Sequence, residues 1–238
     1  MTPAYVLTYG KHATREQGMC LLEAVAYIAG EPHNDTPECA CGVLAAYGRS
    51  LNDVMGEGPE GDALRDRYLG DIAPLLVGTR STPEVERRRA YLLADRAVRV
   101  IAPMALEAVD LHDHAATLRA LAPVTDAATA RAAYAAATVG CAAARAAAYA
   151  AARAARAAGA AAAYAAGAAA AYAAGAAADA VDSAARANAR VAMPDSAADA
   201  ARAAADAARA ARVADPDTVW AEARQALIDA IQISGGDA

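Results

Sequence analysis

Ala157 to Ala178 reads AAGAAAAYAAGAAAAYAAGAAA: 17 alanines, three glycines, two tyrosines and no charge. The tract lies inside a proline-free run from Val124 to Met193. Alanine has the highest intrinsic helix propensity, and the arginines that flank the tract are also good formers. The run is therefore read as one helix of some 60 residues, about 90 Å long at 1.5 Å per residue. Gly159, Gly167 and Gly175 each weaken it by about 1 kcal/mol without breaking it.

The interruptions recur at eleven residues. Tyr134, Arg145, Arg156 and Gly167 form one column, and Arg153, Tyr164, Gly175 and Arg186 a second. Eleven residues make three turns at about 3.67 per turn, so each column runs along the axis. The opposite face is then nearly all methyl groups. Such a face lets another backbone approach toward the short end of the roughly 8–10 Å interaxial range. It suits either pairing within the chain or pairing with a partner. The tract is also long enough to span a membrane. Insertion, however, is driven by Leu, Ile, Phe and Val, none of which it contains, so no membrane partner is expected.

The chain has 238 residues, no Phe, and its bulky apolar residues concentrate before residue 122. The expected fold is all-α: a compact multi-helix domain over residues 1–123, then an alanine-rich hairpin or bundle over 124–238, in which the long helix packs with two shorter C-terminal helices. The net charge of −6 argues against a general nucleic-acid binder, and the arginines from Arg131 to Arg156 read as a solvated face. Met1 to Gly10 has neither a basic start nor a sufficient apolar run, so no signal peptide is expected. Four cysteines in a chain of this length do not make a disulfide framework. A reduced, cytoplasmic protein is expected.

Along the chain, Thr14 to Gln17 fits a capping box opening a first helix that ends at Gly30. That helix is apolar nearly all round and is expected at the centre of the first domain. Thr36 and Pro37 open a second helix. Asp62 to Leu69 forms a third, and Thr82-Pro83 opens a fourth running to about Ile101. Arg87, Arg88 and Arg89 are read as solvated. Pro194-Asp195-Ser196 breaks the chain before a return helix from about Ala197 to Val213. Asp215-Pro216 opens a terminal helix carrying Trp220.

One constellation carries chemistry: Cys20, Glu23, His33, Asp35, Cys39 and Cys41. Cys20 follows Gly18 near a helix N-terminus, where the dipole lowers a thiol's pKa. As a nucleophile it would need His33 or His114 as base, oriented by Asp35 or Glu23. The run Gln17-Gly18-Met19-Cys20-Leu21 looks like the start of the catalytic helix in cysteine-protease and transglutaminase-like folds. Cys20, His33, Cys39 and Cys41 are alternatively a zinc ligand set by softness, although the Cys39–Cys41 spacing departs from the usual knuckle. Placed on a helix, those two would point apart. The bland reading makes the cysteines packing groups.

The stretch Gly18 to Asp53 contains Gly18-Met19-Cys20, Glu23-Ala24-Val25-Ala26, Ala29-Gly30-Glu31-Pro32-His33, Pro37, Cys39 and Asn52-Asp53. With Pro74 to Thr82 and the alanine-rich tail, it resembles a family of uncharacterised alanine-rich proteins from actinobacteria and their phages. The resemblance implies a two-part layout and carries no activity. The functional expectation is a non-catalytic structural or interaction protein. Its alanine-faced helix would pair with itself or another helical protein. The alternatives are a small cysteine-dependent enzyme centred on Cys20 and a structural zinc-binding domain; no cofactor other than zinc is in question.

Overall fold

The computed structural model describes residues 5–158, 161–193, 196–211 and 214–234. Pro3, the Gly159 interruption and the Pro194-Asp195 break lie outside the described residues, as do the side chains of Tyr164 and Arg209. The fold is all-α; among the described residues strand pairing is limited to one parallel bridge between Leu7 and Met19.

The helices in order are α1 (Leu21–Ala29), α2 (Gly42–Val54), α3 (Gly58–Leu69), α4 (Ala73–Leu76), α5 (Pro83–Arg96), α6 (Ala102–Glu107), α7 (His112–Arg119), α8 (Ala127–Ala158), α9 (Ala161–Val191), α10 (Ala197–Ala211) and α11 (Pro216–Gln232). A π-type turn, Ala97–Ile101, joins α5 to α6. Pro103 in the first turn of α6 has no N–H to offer the carbonyl four residues back, which accounts for the widened turn there.

Local signals placed several boundaries. Thr82 Oγ1 accepts a hydrogen bond from Val85 N–H and caps α5, with Pro83 following. Gly30 ends α1 in the left-handed conformation. Val219, Trp220, Ala223 and Leu227 form the buried stripe of α11, and Tyr47 Oη on α2 donates to Ala223 O at 3.3 Å.

Other expectations are corrected. The expected single long helix is a hairpin: α8 ends at Ala158 and α9 begins at Ala161. The helices run antiparallel, since Cys141 Sγ donates to Ala178 O at 3.5 Å while Arg145 lies 3.6 Å from Asp182. Folding back buries methyl groups that a 90 Å rod would leave in water. The eleven-residue columns therefore do not run through one helix. Their Tyr134, Arg145 and Arg156 stand on the outside of α8.

The first helix opens at Leu21, not after Thr14. Arg15–Gln17 is a 3₁₀ turn and Cys20 is the N-cap. On its outer side Tyr27 and Ile28 are exposed. The second helix opens at Gly42, because the Glu31 carboxylate takes the N–H groups of Glu38 and Cys39 at 2.7 and 2.8 Å and holds that segment as a turn. Arg89 is buried rather than solvated; it donates to Thr79 O at 2.7 Å and Ile233 O at 2.9 Å.

The most enclosed helix is α10. It packs against α9, α2 and α5 together. Between residues 200 and 208 only Arg202 and Asp206 face solvent. One hydrophobic cluster runs from Leu7 through α1, α2 and α5 to α8, α9, α10 and α11, passing residue 123 without interruption.

The α8/α9 contact makes a paired prediction. A Cβ on Gly167 would lie 2.5 Å from Ala155 Cβ, whereas one on Gly175 meets nothing within 4 Å. Gly175→Ala should stabilise by up to about 1 kcal/mol through helix propensity. Gly167→Ala should instead destabilise, by about 1–3 kcal/mol less any propensity gain. Thermal unfolding followed by circular dichroism reads both, and equal shifts in the two variants would contradict the close approach at Gly167.

Candidate functional site

The chemistry-bearing residues of the first fifth gather around Glu23, not around Cys20. The Glu23 side chain is 0% exposed. Its Oε2 accepts from Cys20 N–H at 2.8 Å, the N-cap bond that opens α1. Oε2 also meets His12 Nδ1 at 2.8 Å, and Oε1 accepts from His12 N–H at 2.8 Å. His33 Nε2 lies 3.7 Å from Oε1 and donates to His12 O at 3.1 Å. Burial alone would raise the Glu23 carboxyl. The hydrogen bonds from Cys20 and His12, with the attraction of the His12 ring, outweigh it and hold the carboxyl below its usual range.

His12 reaches outward from this centre. Its Nε2 lies 3.0 Å from Thr8 Oγ1. With a carboxylate against Nδ1, that nitrogen carries the proton, and Nε2 accepts from the Thr8 hydroxyl. Thr8 N–H donates to Met19 O at 2.8 Å, which fixes the lead-in strand against the residue preceding the cap. Buried Asn52 on α2 ties the two together: its Oδ1 accepts from Leu21 N–H at 3.1 Å and its Nδ2 donates to Thr8 O at 3.2 Å. Gly18, at φ +131°, lies over the Thr8–His12 pair. A Cβ there would come within 2.4 Å of Thr8 Oγ1 and 2.9 Å of His12 Nε2, so glycine is required on both counts.

The expected nucleophile set is placed differently. Cys20 is buried, and burial pushes its thiol up to about 12, opposite to what activation needs. His33 engages His12 and Glu23, and its Nδ1 is buried with no hydrogen-bond partner among the described residues. Asp35 lies 3.0 Å from Lys11 Nζ and 3.8 Å from Arg49 Nε. Burial opposes its ionisation, but these two cations keep its carboxyl low. His114 sits on α7, which packs on α6 and α8. The zinc set is not gathered either. Cys39 and Cys41 do lie outside the helix, which removes the objection from their spacing. Cys41 is the buried N-cap of α2, its N–H donating to Thr79 Oγ1 at 3.0 Å, while Cys39 lies half-buried in the turn held by Glu31. Among the described residues, no group of three or more His, Cys, Asp or Glu is arranged to hold a metal ion.

Sequence reasoning passed over Thr8, His12 and Asn52. Their only signal was that His12 is one of four histidines in the chain.

A second feature is the far end of the α8/α9 hairpin. Among described residues of α8 beyond Ala144, only Ala155 is buried. None is buried between Ala165 and Ala173 on α9. This arm extends α8 by about 20 Å past Ala144. Tyr149 and Tyr172 are 67% and 80% exposed on it. From Ala127 to Ala178 every charge is an arginine: Arg131, Arg145, Arg153 and Arg156. Among the described residues no helix is long and apolar enough to cross a membrane.

Two measurements test the Glu23 centre. A carboxyl held low in the fold contributes stability above its unfolded pKa and loses it as pH falls through the folded one. Glu23→Gln should therefore cost about 3 kcal/mol at neutral pH, and the gap to the wild type should narrow in acid. Urea unfolding from pH 7 to 3 reads this; a pH-independent gap would count against an ionised Glu23. Separately, Ellman's reagent should modify at most Cys39 in the native protein and all four thiols after unfolding, with Cys39→Ser removing the native reaction.

No protein-family model, curated protein or solved structure matches the chain.

Proposed function

We propose that the chain is an interaction protein that associates with a second copy through the outer surface of the hairpin arm. The observation that carries this reading is the arm itself. It displays two open tyrosines and only positive charge, on a chain whose formal net charge is −6. With four arginines between residues 127 and 178, the remainder of the chain carries a net ten negative charges. Arm and body are thus electrostatically complementary between copies. Glu57, Glu60 and Asp66 of α3 are exposed and form the receiving surface. Tyrosine and arginine are also the side chains most enriched where proteins meet.

The inner methyl faces of α8 and α9 are already used by each other. What remains for a partner is the outer side, with Tyr149, Arg153 at 5.9 Å from its ring, Arg156 and Tyr172. Two copies related by a two-fold axis would each insert an arm against the other's α3, closing the assembly.

Light scattering coupled to gel filtration tests the proposal. A dimer is expected at low ionic strength, shifting to monomer at several hundred millimolar salt as the charges are screened. Arg153→Glu with Arg156→Glu should abolish the dimer, and adding Glu57→Lys with Glu60→Lys should restore it. A monomer at low salt and high concentration, or a dimer indifferent to all four changes, overturns the proposal.

A further inference from the structure

The Glu23 centre does more than cap a helix. Capping α1 needs only the Glu23–Cys20 bond, and neutralising the carboxylate needs only His12 Nδ1. Neither explains a hydroxyl 3.0 Å from the far nitrogen of the same ring, under a glycine that leaves no side chain over the pair. We infer that Thr8, His12 and Glu23 form a hydroxyl–imidazole–carboxylate relay that hydrolyses small carboxylic esters, with Thr8 as nucleophile, His12 as its base and Glu23 as a positioning residue.

The order of contacts is that of an activated nucleophile: an oriented carboxylate, an imidazole bonded to it through Nδ1, and a hydroxyl bonded to Nε2. Glu23 cannot swing away, because the Cys20 and His12 N–H groups hold its two oxygens. Thr8 is held from both sides, its N–H on Met19 O and its carbonyl on Asn52 Nδ2. Thr8 is only half-buried, so its hydroxyl is not sealed in the core.

Beside it lies an open cleft of about 600 Å³ lined by Tyr5, Val6, Arg15, Gln17, Gly18 and Met19. Gly18 belongs both to the cleft wall and to the cover over Thr8 and His12. Val6 and Met19 offer apolar surface to a short acyl chain. Gln17 Oε1 is engaged by Ala13 N–H at 3.2 Å, which leaves the Gln17 amide N–H groups, with the Arg15 guanidinium, as donors toward a developing oxyanion.

In the acylation step the Thr8 oxygen bonds to the ester carbonyl carbon and its proton passes to His12 Nε2. The carbonyl electron pair moves onto oxygen, then returns as the ester C–O bond breaks. His12 gives its proton to the departing alcohol. Water then adds to the acyl-threonine with His12 taking its proton, and the Thr8 oxygen leaves with that proton. Ester and water become acid and alcohol. The buried Cys20 takes no part, and the arm and its partner are not involved.

The experiment is hydrolysis of p-nitrophenyl acetate by the full chain, with Thr8→Ala, Thr8→Ser and His12→Gln as variants and unfolding curves for each. Turnover above buffer is expected. Thr8→Ala and His12→Gln should each lower it by about 100-fold or more, while Thr8→Ser keeps it within about tenfold, and peptide mass spectrometry should find an acetyl group on Thr8. If Thr8→Ala does not fold, Thr8→Ser and the trapped acetyl group decide. No turnover above buffer by the folded wild type overturns the inference. So does a folded Thr8→Ala as active as the wild type, since the ester would then be cleaved by another group.

Discussion

Close approach of backbones is the constraint on which this structure depends. Nearly every buried position of α10 is an alanine, and α9, α2 and α5 all press on it. A methyl group removes little apolar area from water, so each contributes modestly. The compensation is short distance and many simultaneous dispersion contacts, which a helix of small residues permits on every side. Bulk comes from the neighbours: Leu44, Tyr47 and Leu51 on α2, Leu93 on α5 and Trp220 on α11 are all buried. Large residues from one half of the chain and small ones from the other thus make one interior.

The same composition behaves differently where nothing else presses on it. In the arm, α8 and α9 have only each other, and the tightest point is Gly167 against Ala155. Local stability there rests on a single interface, which places the arm at the low end of the molecule's stability scale. Its outer surface is free to carry tyrosine and arginine because no core requires those positions. Charge follows the same division, with arginines on the arm and the acids elsewhere.

At the opposite extreme is Glu23, a fully buried carboxylate whose oxygens are occupied by Cys20, His12 and, more distantly, His33. Buried charge is tolerated only when paired and hydrogen-bonded. That requirement draws the lead-in segment onto α1, and Asn52 extends the tie to α2. Glycine at residue 18 allows the chain to pass over this centre without filling it.

Much of the helical layout was legible because its causes are local. Thr82 with Pro83, Gly30 as a left-handed cap and the Val219–Leu227 stripe each depend on a few adjacent residues. The candidate site was only half legible. Glu23 and His33 stood out by type, but His12 lies 11 residues before Glu23, and Thr8 is 44 before Asn52. No spacing rule joins such pairs, and the Cys20 that seemed exposed to a helix dipole is shut in by the packing of α1. By itself, the sequence determined that the chain is helical, where most helices stop, and that its second half pairs through methyl groups, since propensity, caps and side-chain size act over a few residues. Only the tertiary structure decided that the long tract folds back near residue 160, that α10 rather than α1 is most enclosed, and that a histidine and a threonine meet Glu23. Those outcomes turn on contacts between distant residues, whose free energy exists only once the chain has closed.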